Sequence, residues 1–211
     1  MPIVYSSIIG YILGCINPSF LLSKLKGIDI REKGSGNAGA SNALIVIGKS
    51  AGIISALFDI LKAYVAYKLS ERLFPDCQTA GAVAGIFCIL GHIFPIFMGF
   101  RGGKGLATLG GTILAYDIRV FAVLLLCEAI IVLASGYLCF VPITASVIFT
   151  VYYGFVERNV WVTVLFTAVS IVIFLKHMTN LKRIKNGTEM HISYLWNKEA
   201  EESRVKENMN K

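Results

Sequence analysis

The stretch Gly105-Leu106-Ala107-Thr108-Leu109-Gly110-Gly111-Thr112-Ile113-Leu114-Ala115-Tyr116-Asp117 decides the topology of this chain. It is apolar, yet shorter than the roughly 20 residues a helix needs to cross the hydrocarbon core of a bilayer. Around it the 211-residue sequence is 55% hydrophobic, with a mean hydropathy of +0.68. That apolar share is above what a soluble domain carries. Runs near 3–23, 51–70, 79–100, 118–134, 139–156 and 159–175 are each about as long as a membrane-crossing helix. The composition therefore predicts an all-α, polytopic integral membrane protein, and the remaining question is whether 105–117 adds a seventh crossing.

Positive charge answers it. With seven crossings, Lys24, Lys26, Arg31, Lys33, Lys49, Arg101, Lys104 and the eight basic residues from Lys176 to Lys211 share one side. Lys68, Arg72, Arg119 and Arg158 take the other, and Lys62 lies within a span, so the split is fifteen against four. Without the extra crossing it falls to ten against nine. Because lysine and arginine gather in cytoplasmic loops, the sequence predicts seven helices, an external N-terminus and a cytoplasmic C-terminus. No basic residue precedes the first run and no small-residue cleavage site follows it, so it reads as a retained helix rather than a signal peptide. The net charge of +7 sits in loops beside helix ends rather than along one soluble face, which suits anionic lipid headgroups better than nucleic acid. Five cysteines, Cys15, Cys77, Cys88, Cys127 and Cys139, form no C-x-x-C pair and indicate neither a disulfide framework nor a metal site. Residues 1–196 read as one transmembrane domain. Residues 197–211, a mixture of Glu, Lys and Asn without periodicity, read as a solvated, charged cytoplasmic tail.

Three polar segments interrupt the apolar pattern, at 24–50, 92–104 and 176–191, and seven crossings bring all three to the cytoplasmic face. The first contains Gly34-Ser35-Gly36-Asn37-Ala38-Gly39-Ala40-Ser41-Asn42, a formal G-x-G-x-x-G. A membrane helix, not a strand, precedes it, so a dinucleotide fold is excluded. What remains is either a glycine linker or a nest of backbone amides for an anion, with Ser35, Asn37, Ser41 and Asn42 adding neutral hydrogen-bonding groups. The second runs from Gly91-His92 through Arg101-Gly102-Gly103-Lys104-Gly105 to Thr108. It lacks P-loop spacing. A lysine among glycines at the start of a helix makes a phosphate seat, or else Arg101 and Lys104 simply anchor a helix end at the membrane surface. The third runs from Lys176 to Glu189, where His177 and Asn180, three apart, share one helical face. A histidine there can exchange a proton near neutral pH, whereas alone it reads as an interfacial anchor. Within the second span Asp59 and Lys62 are also three apart, a spacing that lets two costly intramembrane charges pair.

Taken together, these segments resemble the bacterial acyl-phosphate:glycerol-3-phosphate acyltransferases, over nearly the whole chain. The resemblance implies a seven-helix enzyme of the bacterial cell membrane with its active site facing the cytoplasm. It implies acyl-phosphate and glycerol 3-phosphate as substrates, lysophosphatidic acid as product, and chemistry without metal or coenzyme A. Carried onto this sequence it implies Ser35, Lys104, His177 and Asn180 as catalytic residues, and Asn37, Ser41, Asn42, Gly102, Gly103, Arg183 and Glu189 as substrate-binding ones. An acyl-phosphate is a mixed anhydride with a good leaving group, so positioning and charge stabilisation suffice without an acyl-enzyme. The hydroxyl proton then passes to His177 or to a substrate phosphate. The chain departs from the family pattern at Ile45, where an arginine is usual, and at Cys139 and Pro142, where serines are usual. Those departures predict a weaker grip on glycerol 3-phosphate. None of His92, His177 or His191 has an aspartate five positions on, so the His-x-x-x-x-Asp chemistry of other glycerol-phosphate acyltransferases is absent. Two rival readings share the anion seats: a transporter or binding protein for a phosphorylated metabolite, and a relative with another acceptor or no activity.

Overall fold

The computed structural model describes residues 1–209. Its regular elements are all helical: α1 (Pro2–Cys15), α2 (Pro18–Leu25), α3 (Ala40–Val46), α4 (Lys49–Leu73), α5 (Ala80–Ile93), α6 (Leu106–Tyr116), α7 (Ile118–Ser135), α8 (Phe140–Glu157), α9 (Val160–Lys185) and α10 (Lys198–Met209). Among the described residues, six segments are long and apolar enough to cross a membrane: Pro2–Leu25, Lys49–Leu73, Ala80–Met98, Ile118–Ser135, Phe140–Glu157 and Val160–Lys185. The deciding stretch forms α6, whose 11 residues rise about 16 Å, roughly half the hydrocarbon thickness.

The first apolar run is not one helix. Ile16 is extended, Asn17 accepts the Phe20 amide at 2.8 Å, and Pro18, which has no N–H to lose, starts α2. The Asn17 amide also donates to the Ala38 carbonyl at 2.8 Å, which fixes the first polar segment to the bundle.

Small residues set the closest helix contacts. A Cβ at Gly10 would lie 2.1 Å from the Ala84 carbonyl oxygen, one at Gly14 2.3 Å from that of Cys88, and one at Gly91 2.3 Å from that of Tyr11. Between apolar surfaces in lipid, this backbone approach supplies the van der Waals contact that a hydrophobic driving force cannot. Gly111 does the same for α6, where a Cβ would meet the Ile60 carbonyl of α4 at 2.1 Å. Thr108, Leu109, Thr112, Ile113 and Ala115 are buried, so α6 is an inner helix despite its length. By contrast α7 turns Val123, Leu125, Leu126, Ile130 and Leu133 outward, a face suited to lipid.

Asp59 and Lys62 pair as their spacing predicts, with 2.7 Å between Nζ and Oδ1 and both side chains 2% exposed. The pair has further partners that the spacing did not reveal. Lys62 Nζ donates to the carbonyls of Gly14 at 3.0 Å and Ile16 at 2.6 Å, closing the C-terminal end of α1, and lies 3.1 Å from His92 Nδ1 on α5. Three helices therefore meet at one ammonium group.

The tail also differs from the sequence expectation. Residues 198–209 form α10, with Glu201 buried against the turn that follows α9. Tertiary polar contacts, invisible to any periodicity within the tail, hold it there.

Candidate active site

Asn42 organises the first polar segment. Its side chain is buried: Oδ1 accepts the Ser35 amide at 2.9 Å, and Nδ2 is shared among the carbonyls of Ile30 (3.0 Å), Lys33 (3.0 Å) and Asn37 (2.9 Å). Those bonds commit its amide donors and one lone pair of its oxygen, so Asn42 shapes the loop that presents Ser35 and Asn37. The Arg31 guanidinium donates to the Met98 carbonyl at 2.8 Å and joins this loop to the second segment. Arg31 in turn grips Asp29 at 2.7 Å and holds that carboxyl well below the usual carboxylate range.

In the second segment the glycines serve a different purpose from the one their pattern suggests. Gly103 N donates to the His92 carbonyl at 3.0 Å and Gly102 N to that of Ile93 at 3.2 Å, so these two amides are already committed. A Cβ at Gly102 would sit 2.1 Å from the His92 carbonyl oxygen, and one at Gly103 2.0 Å from His92 Nε2. Glycine is required there because the loop lies against His92. The amides of Lys104 and Gly105 have no hydrogen-bond partner among the described residues. Gly105 adopts φ +93°, a left-handed conformation that starts α6.

Lys104 Nζ donates to Asn180 Oδ1, and Asn180 Nδ2 donates to Glu189 Oε1 at 2.6 Å. Glu189 reaches back because Gly187, at φ +67°, reverses the chain after α9, with the amides of Thr188 and Glu189 both on the Arg183 carbonyl. Burial lowers the Lys104 pKa, and the Glu189 charge opposes that shift. One turn before Asn180, His177 is buried with Nδ1 2.8 Å from the Ile173 carbonyl. A carbonyl only accepts, so Nδ1 carries the proton and Nε2 keeps its lone pair as the basic atom.

The three segments meet around a cavity of about 240 Å³. The first contributes Ser35, Gly36 and Asn37, the second Arg101, Gly102, Gly103 and Lys104, and the third Lys176, Thr179 and Arg183. Four cations and no carboxylate line it, which is the electrostatics of an anion seat. Of the residues singled out from sequence, Ser35, Asn37, Gly102, Gly103, Lys104 and Arg183 are in the wall, and Asn180 and Glu189 are bonded behind Lys104. His177 and Asn42 are interior, and Ser41 is exposed on α3 outside the wall. Arg101, Lys176 and Thr179 were not among the residues expected to bind. For α9 the signal was available, since positions 176, 179, 180 and 183 fall on one helical face.

Fold and site together define an integral membrane protein with a cationic cavity suited to an anion. Comparison with known proteins makes the class specific: residues 4–187 match the glycerol-3-phosphate acyltransferase family, and the chain belongs to that family. The glycerol-3-phosphate acyltransferase of Bacillus subtilis (strain 168) is 36% identical over 189 residues, covering 89% of this chain and 96% of that one. That of Lactiplantibacillus plantarum is 33% identical over 207 residues, covering 97% and 100%. Among solved structures, PlsY (YgiH), an integral membrane glycerol 3-phosphate acyltransferase, is similar in its glycerol 3-phosphate form. The TM-score is 0.82 at 30% identity, over 92% of this chain and 96% of that one. Its lysophosphatidic acid form gives 0.78 at 30% identity, over 90% and 94%.

Proposed function

We propose that this chain transfers a fatty acyl group from acyl-phosphate to a hydroxyl of glycerol 3-phosphate, giving lysophosphatidic acid for phospholipid synthesis. The observation that carries the reading is the convergence of Ser35, Lys104 and Arg183, from three distant segments, on one cationic cavity. Lys104, with its own amide and that of Gly105, holds phosphate, and Arg101, Lys176 and Arg183 supply the surrounding positive potential. Ser35 and Asn37 orient the substrates from the first segment's part of the wall. Catalysis follows from position: the glycerol hydroxyl attacks the acyl carbon, the bond to the phosphate oxygen breaks, and inorganic phosphate leaves. Lys104 stabilises the charge that collects on that phosphate, and the hydroxyl proton passes to a phosphate of the substrate itself or to Nε2 of His177, which lies behind the cavity wall. Asn42 and Glu189 serve the site by shaping its walls.

The reading places the chain in a bacterial cell membrane with seven crossings, N-terminus outside, C-terminus and active site on the cytoplasmic side. The fifteen-to-four charge split supports it. So does the interior position of α6, which buries Thr108, Leu109, Thr112 and Ile113 and closes backbone to backbone on α4 at Gly111. The test is direct. Purified protein incubated with acyl-phosphate and glycerol 3-phosphate should form lysophosphatidic acid and release phosphate. Solute movement across vesicles without ester formation would instead identify a transporter.

A further inference from the structure

The C-terminal helix α10 lies beyond the segment that matches the family, which ends at residue 187, and neither substrate chemistry nor membrane crossing accounts for it. Its sequence, Lys198 to Met209, carries no continuous apolar face. A 12-residue helix of this kind has little stability alone in water, so tertiary contacts must hold it. Those contacts converge on the turn after α9. Arg204 Nη1 donates to the Gly187 carbonyl at 2.7 Å, and Nη2 donates to the Glu189 carbonyl at 2.7 Å. Nε and Nη2 also reach the Glu201 carboxylate, at 3.2 and 2.6 Å. Glu201 Oε1 accepts the His191 amide at 2.7 Å, and the Asn208 side chain adds a second donor to the Gly187 carbonyl at 3.0 Å. The guanidinium thus sits where the α9 dipole is negative, with its planar fork across two carbonyls.

What that turn carries is Glu189, whose carboxylate receives Asn180, which in turn receives Lys104. A continuous hydrogen-bonded path therefore runs from Arg204 to the ammonium group at the cavity. The other end of the segment is fixed independently: Ile192 N donates to the Gly136 carbonyl at 2.8 Å, and His191 packs edge-on to Tyr137 with ring centroids 5.4 Å apart. Between these anchors, Arg204, Glu201 and Asn208 are the α10 side chains that pin the backbone at 187–191, and Arg204 makes two of those bonds.

We propose that α10 is a positioning element of the acyl-transfer site, in which Arg204 fastens the 187–189 turn so that Glu189 orients Asn180 and Lys104 toward the acceptor phosphate. The inference rests on the reading of Lys104 as the phosphate ligand. Arg204 touches no substrate and acts through Glu189.

The test compares the full chain, a chain ending at Asn197, Arg204→Ala, Arg204→Lys and Glu189→Gln in turnover with acyl-phosphate and glycerol 3-phosphate. Backbone amide exchange over 187–193 is followed in parallel. Truncation and Arg204→Ala should each raise KM for glycerol 3-phosphate by roughly tenfold, the size of one charge-assisted hydrogen bond, and speed exchange across the turn. KM for acyl-phosphate should hold steady. Arg204→Lys should recover part of the loss, because it keeps the charge but not the fork. In a Glu189→Gln background Arg204→Ala should add less than about twofold, since coupled residues do not lose activity independently. If the full chain turns over and truncation changes neither KM nor exchange, α10 is a passenger and the proposal fails alone. If the full chain forms no ester, the functional reading fails and the proposal with it.

Discussion

Lys62→Met removes one ammonium group and, with it, the junction of three helices. The structure allows the cost to be built up from its contacts. Asp59, 2% exposed, loses a partner at 2.7 Å and keeps His92 Nδ1 at 3.3 Å. The carbonyls of Gly14 and Ile16 lose donors at 3.0 and 2.6 Å. Breaking a buried ion pair from one side costs about 3–5 kcal/mol, since the stranded charge has no water to turn to. Met fills most of the lysine volume, so little of the effect is cavity formation. In a mixed-micelle denaturation series, Lys62→Met should therefore lose about 3–5 kcal/mol of stability. The double variant Asp59→Asn with Lys62→Met should recover at least about 1 kcal/mol of that, as expected for residues coupled through one contact. Two results would refute the reasoning. A single variant within about 0.5 kcal/mol of the parent would mean the pair is effectively solvated. A double variant no better than the single would mean that the stranded carboxylate is not the source of the cost.

Lys104→Ala should reduce turnover at least tenfold to a hundredfold, roughly what one charged hydrogen bond supplies, while the protein still inserts and folds; near-parental activity would return the lysine to a mere surface anchor. For pH dependence, Lys104 acts in its charged form, and burial sets its pKa below the ordinary lysine value while Glu189 opposes that shift. Activity should therefore fade with rising pH earlier than for a solvent-exposed lysine, and Glu189→Gln should move the alkaline limb of kcat/KM to still lower pH; a limb that stays put would separate Glu189 from Lys104. In a cysteine-free background, Asn37→Cys should react with a membrane-impermeant thiol reagent only from the cytoplasmic side and Phe74→Cys only from outside; the reverse would invert the proposed topology. Ile45→Arg should lower KM for glycerol 3-phosphate by less than the tenfold that about 1.4 kcal/mol would bring, and a larger gain would show that the cavity lacks a cation it needs.

Much of this architecture was legible because membrane crossing imposes length and charge rules that act locally in sequence. The long runs became helices, and the Asp59–Lys62 spacing became a pair. The three polar segments met, although they are more than 140 residues apart at their extremes, because each interrupts the apolar pattern at a helix end. Position along the chain said less about what each group does after meeting. Gly102 and Gly103 read as free donors, yet their amides close onto His92 and Ile93, since glycine serves close approach and anion binding equally well. Asn42 read as a ligand and is the brace of its loop. The break at Ile16–Asn17 was signalled by Pro18, whereas the docking of α10 had no local signal, because Arg204 finds its acceptors on a distant turn.

The departures from the family pattern acquire a physical account from the charges around the cavity. An arginine at position 45 would project from α3, where Ile45 is 44% exposed and outside the cavity wall. Pro142 is buried in the first turn of α8, where a missing N–H costs little, and Cys139 precedes that helix without a side-chain cap. Neither residue lines the cavity. The positive potential comes instead from Arg101, Lys104, Lys176 and Arg183, three of which are the second segment's last cation and two residues of the long helix α9. Long-range attraction depends on the summed charge, whereas orientation depends on one well-placed fork or ammonium. On the proposed reading, Lys104, bonded to Asn180 and through it to Glu189, supplies the oriented contact, and the other three supply the field. A site arranged in this way should retain acceptor affinity with isoleucine at 45, against the weaker grip that the departures predict, and its sensitivity to substitution should concentrate on Lys104 and the residues that hold it.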